Sequence, residues 1–403
     1  MPGKSQTIGF FTGPKSSDEV ARPRPKWREM VAKGLYQSGV VRILEGISRY
    51  YEFAPGNSKG LSLLRRTKHS KFAILCYHRI GVGGIPLFSE LPAEIFEREM
   101  RFLRSHYKVV SLDELCEGME KSTRNENAVA VTFDDGYRDL YTYALPALKK
   151  YEIPATIFLP VVSIETGQVP WYDRIFLTLK VFPQDVLEVL LERPRRFQLV
   201  SPQARLAAAT EIIEYLRTVP DARRKEHCEN LEKLVTLPSE ELKDRMLTWD
   251  QVRTMCSAGI TFGSHTMTHP VVSQLTGEQL EGELSESKRL LEQRIAGTAS
   301  HFAFPFGRPA DCGKAAVPVL ARSGYRSAAT TVEGTNAPGD NLYELRRTQV
   351  CLERSISMFA FKLNQLFLSA GAEDSAAAYS VSSPSRDNDF LGSGQRQSRP
   401  NDA

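Results

Sequence analysis

Several features that would point this 403-residue sequence toward particular protein classes are missing from it. Its six cysteines are scattered, with no CxxC pair and no short repeat spacing, which disfavours a zinc ribbon or a disulfide framework and fits a reducing compartment. No run approaches about 20 apolar residues, so no membrane-spanning helix is predicted. The formal net charge is only +4 with both signs mixed along the chain, which argues against a nucleic-acid partner.

The N-terminal region also lacks the apolar core of a signal peptide, so we expect a cytoplasmic protein. Residues 1–26 are basic and proline-rich and are predicted to be disordered. An amphipathic helix and a basic linker follow over 27–71. A helix of this kind can make peripheral contact with anionic lipid at the inner membrane face, but packing on the folded part of the chain that follows would give the same pattern. Binding of the full chain to anionic vesicles distinguishes the two.

Strand and helix patterns alternate after this region, which predicts an α/β fold with parallel strands. Apolar runs predict buried strands at 72–77, 128–133, 155–161, 260–262, 302–304 and 326–330. Predicted helices between them include 94–107 and 141–151, together with a long helix from a capping box at Thr276 and Gln279.

The chain divides into a main α/β domain over 72–355, a closing helix over 356–370 and a disordered tail over 371–403. Within the main domain, residues 165–247 break the alternation. They are rich in charge and in helical patterns and contain no convincing strand, so we interpret them as a helical insertion.

Two adjacent carboxylates, Asp134 and Asp135, follow the predicted strand at 128–133. Carboxyl ends of strands are where parallel α/β folds place their sites, and burial of two neighbouring carboxylates is costly without a cation. The same Asp-Asp-Gly sequence is also typical of an ordinary turn, so this motif alone leaves both interpretations open.

A histidine pair, His265 and His269, follows a later strand with the spacing HxxxH. That spacing can bring two imidazoles to one side of a turn, as a metal requires. A third segment, Phe302 to Gly307, leaves its strand through Pro305 and a glycine that allows close backbone approach to a ligand.

Together and in this order, the segments Thr132–Gly136, Ser264–Pro270 and Phe302–Gly307 resemble the polysaccharide deacetylases, the NodB-type family 4 carbohydrate esterases. The resemblance also covers Tyr77 to Gly81 and runs from about residue 72 to 355, interrupted by the insertion. It implies a distorted (β/α)₇ barrel, the NodB homology domain, that removes N-acetyl groups from a carbohydrate substrate.

The resemblance also implies roles for individual residues. Asp135, His265 and His269 would bind a divalent metal, commonly Zn²⁺, and Asp134 would be the general base. The backbone N–H of Phe306 would help to hold the oxyanion. We expect substrate contacts from an aromatic residue at the opening of the insertion and from two residues of the motifs: Trp171, Tyr137 and Pro305.

The sequence departs from the family pattern at two positions. Ala303 stands where the family usually has an arginine that orients the base, and the late segment that usually supplies a histidine acid has none. We therefore hypothesise that Arg347 orients Asp134 and that His78, directly after a strand, protonates the leaving amine. A capping or core role explains His78 equally well.

Two other functions remain open on the sequence alone. The motifs define the metal chemistry and scarcely involve the sugar, so the substrate could be another linear amide such as a formamide. A non-catalytic carbohydrate-binding relative is the other alternative, although retention of Asp134, Asp135, His265 and His269 weighs against it. Nothing in the sequence indicates the oligomeric state.

Overall fold

The computed structural model of the chain describes residues 70–81, 90–121, 127–243, 245–350 and 355–368. The predicted disordered segments 1–26 and 371–403 lie outside these ranges. So does nearly all of the amphipathic helix and basic linker predicted over 27–71.

The centre of the fold is a curled sheet of parallel strands. The strands in the described residues are β1 Phe72–Tyr77, β2 Lys108–Val109, β3 Ala128–Phe133, β4 Ala155–Leu159, β5 Val186–Leu190, β6 Pro194–Gln198, β7 Thr261–Ser264, β8 His301–Ala303, β9 Ser327–Ala329 and β10 Thr348–Gln349. Seven of them follow the order β10-β1-β3-β4-β7-β8-β9, with β2 beside β3. A parallel bridge from Ala329 to Leu345 links the far edge to the segment before β10. The predicted (β/α)₇ architecture is confirmed.

The central strands are covered on both faces, as expected for a parallel sheet. Every residue of β1, β3 and β4 is buried. Alternate residues such as Leu75 and Val131 pack with the surrounding helices, while Ile74, Ala130 and Phe158 belong to a separate cluster on the concave face of the sheet. This concave face leads to the edge where the strands end.

Helices follow most of the strands. They are α1 Ala93–His106, α2 Leu112–Glu120, α3 Leu145–Lys150, α4 Val161–Thr166, α5 Trp171–Val181, α6 Pro202–Leu216, α7 Asp221–Glu232, α8 Ser239–Leu242, α9 Trp249–Ser257, α10 Gly277–Glu281, α11 Ser287–Ile295, α12 Pro309–Cys312, α13 Ala316–Arg322 and α14 Ile356–Leu368. Thr276 forms the capping box that the sequence predicts, and Ser111 and Thr248 form capping boxes at the starts of two other helices.

Some boundaries differ from the sequence predictions for local reasons. The predicted strand at 155–161 ends at Leu159, because Pro160 cannot donate to the sheet and α4 begins directly after it. The predicted long helix to Ile295 is present, but a π turn at Gly282–Glu286 separates α10 from α11. A second π turn at Leu140–Ala144 precedes α3.

The insertion at 165–247 is not purely helical, which corrects the sequence prediction. Strands β5 and β6 form an antiparallel hairpin between α5 and α6. Each strand has one buried residue, Leu187 in β5 and Phe197 in β6, and its other residues are exposed or partly exposed. The hairpin therefore shows little of the alternation of apolar and polar residues that indicates a strand in a sequence.

The closing helix is present as α14, which packs on α1 through Phe359 and Phe102. None of the helices in the described ranges combines the length and apolarity that a membrane crossing requires.

Candidate active site

The residues singled out from the sequence meet at the carboxyl edge of the parallel strands. His78 is the first residue after β1, and His265 is the first residue after β7. Asp134 and Asp135 are the first two residues after β3. Parallel strands end at one edge, so segments far apart in sequence meet there. Arg347 is the residue before β10, which is parallel to β1, and its side chain extends to Asp134 at this edge.

Asp135, His265 and His269 form a buried cluster with its ligand atoms turned toward one another. The Asp135 Oδ1 atom lies 3.3 Å from His269 Nε2 and 3.7 Å from His265 Nε2. The three candidate ligand atoms all lie within 4.8 Å of one another. One carboxylate and two imidazoles leave open coordination positions, so this donor set fits a catalytic divalent metal.

The protonation states within this cluster also suit metal binding. Burial lowers the pKa of His265 to about 4, which keeps the imidazole neutral at physiological pH. Its Nδ1 atom donates to the Ala303 carbonyl at 2.7 Å, which directs Nε2 toward the cluster. Burial would raise the pKa of Asp135, but His269 and the other nearby imidazoles lower it below its usual value.

The two ligand-bearing loops have unusual backbone conformations. Asp135, Thr266 and His269 have positive φ angles of 72°, 70° and 58°. Such conformations are costly for residues with side chains and tend to occur at functional sites. The two imidazoles therefore meet in an irregular turn, with ring centroids 4.7 Å apart.

The histidine loop is held by Glu283, which the sequence analysis did not identify. Glu283 lies in the π turn between α10 and α11. One of its oxygens accepts from the backbone N–H groups of Met267 and Thr268 at 2.8 and 2.9 Å, and the other accepts from the Thr268 hydroxyl at 2.6 Å. Glutamate in a helical pattern normally indicates a solvent-facing position, so no sequence signal separates it from its neighbours.

We expect Glu283→Gln to weaken metal affinity about tenfold, because the loop that carries both imidazoles loses its anionic anchor. Competition with a chromophoric chelator measures this. Glu286→Gln is the matched control, since Glu286 lies in the same π turn and its one ion-pair partner among the described residues is Arg289 on the surface. Equal affinities for the two variants would contradict an anchoring role for Glu283.

Asp134 forms a buried bidentate ion pair with Arg347. The two Nη atoms of Arg347 donate to Oδ1 and Oδ2 of Asp134, each at 2.7 Å, and its Nε donates to the Thr330 carbonyl at 2.8 Å. Burial would raise the pKa of Asp134, but Arg347 and the adjacent His265 and His78 hold it well below its usual range. The carboxylate is therefore ionised and fixed in orientation.

His78 lies beside this pair without a hydrogen bond to it. Its Nε2 atom is 3.9 Å from Asp134 Oδ2, and the ring lines the cavity described below. The Cys76 thiol is 3.6 Å from the same oxygen. These three side chains also offer clustered ligand atoms, but the Arg347 charge on Asp134 disfavours a second cation there.

The backbone and the ring of Phe306 both lie beside the cluster of candidate metal ligands. Its φ angle is 59°, and its ring centroid lies 5.1 Å from that of His269. Within the described part of the chain, its backbone N–H has no hydrogen-bond acceptor, whereas its carbonyl accepts from the Thr331 hydroxyl. The N–H is thus available to a ligand.

The three predicted substrate contacts are not found at the cavity surface, which corrects that prediction. Tyr137 is fully buried and donates to Asp173 at 2.7 Å, behind the metal cluster. Trp171 is 6% exposed and donates to the His269 carbonyl at 2.9 Å, so it supports the histidine loop from behind. Pro305 is also buried. The residue next to Trp171, Tyr172, reaches the cavity instead.

A cavity of about 500 Å³ lies over the cluster, within the size range of small-molecule sites. Besides the residues predicted from the motifs, it is lined by Tyr172, Thr210, Ile213, Glu214, Arg217, Arg308, Thr331, Glu333, Gln349 and Lys362. Half of these belong to the insertion, whose place in the site the sequence analysis did not anticipate beyond its aromatic opening.

Comparison with known proteins places this architecture in a family. The model of the family described as polysaccharide deacetylase matches residues 121–328, about half of the chain. The chain belongs to the polysaccharide deacetylase family. Its activity is therefore the metal-dependent hydrolysis of N-acetyl groups on carbohydrate. His78 and Arg347 lie outside the matched residues.

Individual relatives agree with this assignment. YxkH of Bacillus subtilis, whose name places it among the polysaccharide deacetylases, is 24% identical over 298 residues, which cover 73% of this chain and 77% of YxkH. The poly-β-1,6-N-acetyl-D-glucosamine N-deacetylase of Staphylococcus epidermidis is 38% identical over 86 residues, 21% of this chain and 29% of that protein. The solved Streptococcus pyogenes deacetylase PplD shares the fold, with a TM-score of 0.50 and 20% identity over 74% of this chain and 98% of PplD.

Proposed function

We propose that this chain removes the acetyl group from N-acetylglucosamine units of a polysaccharide, an oligosaccharide or a lipid-linked glycan. The observation that carries the proposal is the buried metal-ligand cluster beside an ionised, arginine-bound carboxylate in one cavity. The sugar is suggested by the Staphylococcus epidermidis relative, whose name gives N-acetylglucosamine as the unit that it deacetylates.

The proposed metal is Zn²⁺, held by Asp135, His265 and His269. Zinc commonly takes three nitrogen and oxygen ligands from the protein in catalytic sites. When bound there, it would supply Lewis acidity to the acetyl carbonyl and lower the pKa of water at the open position.

Asp134 is proposed to take the proton of the attacking water. Its carboxylate lies next to the ligand Asp135 in sequence and stays ionised because Arg347 binds both of its oxygens. The fixed carboxylate orients the water without a loss of side-chain freedom during the reaction. The Arg347 pair thus takes the place of the arginine that is absent at Ala303.

The two remaining roles concern the leaving group and the oxyanion. The Nε2 atom of His78 lies 3.9 Å from Asp134 Oδ2 and the ring lines the cavity, so His78 is proposed to protonate the leaving nitrogen. The Phe306 N–H is proposed to donate to the developing oxyanion.

We expect His78→Phe to lower kcat about 100-fold with the metal still bound, because the leaving nitrogen loses its proton donor. Acetate release and metal content are measured on the same sample. His106→Phe is the matched control, since His106 lies at the end of α1, where its Nδ1 atom donates to the Phe102 carbonyl at 2.9 Å, and it does not line the cavity. Unchanged turnover in His78→Phe would rule out this role.

Acetate release tests the proposed function directly. Zinc-loaded protein is incubated with N-acetylglucosamine oligomers and with lipid-linked N-acetylated glycans, and zinc content is measured in parallel. Release from either class supports the proposal and identifies the polymer or the lipid-linked substrate. Failure to release acetate from every member of the panel, with zinc bound, contradicts it and favours the linear-amide or non-catalytic alternatives.

A further inference from the structure

One face of the insertion helix α6 forms a wall of the active-site cavity. Thr210, Ile213, Glu214 and, just after the helix, Arg217 all line the cavity. Their spacing of three, four and seven residues places them on a single helical face. The insertion therefore presents a continuous surface to whatever occupies the site.

Two arginines hold Glu214 within this wall. Arg217, which is 6% exposed, donates to Glu214 Oε1 at 2.6 Å, and Arg308 donates to both Glu214 oxygens at 2.9 and 3.1 Å. Arg308 comes from the loop after β8, so this contact joins the insertion to the barrel.

The Arg217 guanidinium connects the wall to the metal cluster. It lies 4.5 Å from the centroid of the Phe306 ring, whose other contacts include His269. It also donates to Asp311 Oδ2 at 2.6 Å in a buried ion pair. A continuous series of contacts therefore runs from His269 to Phe306, from Phe306 to Arg217 and from Arg217 to Glu214.

The position and charge of Glu214 suit the recognition of hydroxyl groups. Burial would raise its pKa, but Arg308 and Arg217 lower it below the usual value, so the group is an acceptor only. A carboxylate offers about four lone-pair positions, and three hydrogen bonds from the arginines leave one for a ligand. Because the group is already ordered, little side-chain freedom is lost when it binds.

We propose that this wall is a sugar subsite, in which Glu214 accepts a hydrogen bond from a hydroxyl of the substrate. The inference rests on the proposed function, because it assumes that a carbohydrate enters the cavity. It assigns to the insertion a part in carbohydrate selection that is separate from the metal chemistry.

The test compares Glu214→Gln with Glu211→Gln. Both residues lie on α6, but Glu211 pairs with Arg195 of the hairpin on the protein surface and does not line the cavity. Values of kcat and KM are measured with an N-acetylglucosamine tetramer and with an aryl acetate, which carries an acetyl group and no sugar.

For Glu214→Gln we expect the ratio of kcat/KM for the tetramer to that for the aryl acetate to fall about tenfold, mainly through KM for the tetramer. Glu211→Gln is expected to match the wild type with both substrates. An unchanged ratio in Glu214→Gln would overturn the subsite, and so would equal losses with both substrates, since these indicate a structural role alone.

A binding measurement separates failure of the subsite from failure of the proposed function. The tetramer is titrated into zinc-loaded Asp134→Asn and into the double variant with Glu214→Gln. Weaker binding by the double variant supports the subsite even without turnover. Acetate release by the wild type with equal binding in both variants contradicts the subsite alone, whereas no release and no binding contradict both proposals.

Discussion

Asp134→Asn, loaded with zinc as the proposed metal, is expected to release acetate with a kcat about 1,000-fold lower than that of the wild type while its metal content is unchanged. The carboxamide is nearly the same shape as the carboxylate but cannot take a proton from water, and general-base catalysis commonly contributes a factor of this order. The metal ligands Asp135, His265 and His269 are unchanged. Acetate release and zinc content of the purified variant are the two measurements.

Asp139→Asn is the matched control for this result. Asp139 is also a carboxylate with little exposure, 12% of its side chain, and it is bound to an arginine, since Arg79 donates to it at 2.9 Å, but it does not line the cavity. We expect this variant to lose some stability and to keep a kcat close to that of the wild type. If Asp134→Asn kept most of its turnover, Asp134 would not be the base. If Asp139→Asn lost as much turnover as Asp134→Asn, the loss of turnover would be attributed to the disruption of an ion pair and not to the removal of a base.

Arg347→Met is expected to lower the free energy of unfolding by about 3–5 kcal/mol, as removal of one partner from a buried ion pair commonly does. Arg347 is fully buried, and its loss leaves the Asp134 carboxylate without a compensating charge. Urea denaturation at pH 7, with a chelator present so that metal binding does not contribute, measures the loss.

The loss in Arg347→Met should depend on pH in a defined direction. In the wild type the pKa of Asp134 is lowered by folding, so its contribution to stability is present above the unfolded pKa of about 4 and is lost as the pH falls through the folded value. Without Arg347, burial raises the pKa, and the buried carboxyl destabilises the fold as the pH rises. The difference between wild type and variant should therefore shrink from pH 7 to pH 4, and a constant difference would contradict this origin.

A double variant provides a further control. Asp134→Leu combined with Arg347→Met removes both charges, so it should be more stable than Arg347→Met alone. Strictly additive losses would show that the two side chains do not stabilise each other.

The parts of the site that depend on local sequence could be predicted. Asp134 and Asp135 follow one apolar run, and His265 and His269 follow another. Because the carboxyl ends of parallel strands lie at the same edge of the sheet, these positions alone predict that the four side chains meet. Arg347 could be proposed only because Ala303 left the family's usual arginine position empty. The roles of the individual side chains remain predictions.

Other parts depend on contacts between distant segments. Glu283 is one of several glutamates on a charged helix, and only the π turn aims it at the histidine loop. Glu214 and Arg217 lie in an insertion whose sequence shows no motif, and they reach the cavity through the fold of that insertion. Tyr137 was predicted wrongly as a substrate contact, because a position two residues after Asp135 does not determine on which side of the strand end the side chain lies.

The pairing of β1 with β10 has a consequence for the order in which the molecule can form. Leu75 is opposite Thr348, and Asp134 is bound by Arg347, so contacts separated by more than half of the chain complete the barrel and orient the base. During synthesis, the segments that carry Asp134, Asp135 and both histidines leave the ribosome before Arg347 exists. Contacts of such long range slow folding. Asp134 therefore cannot be buried as an ion pair until nearly the whole domain has been made.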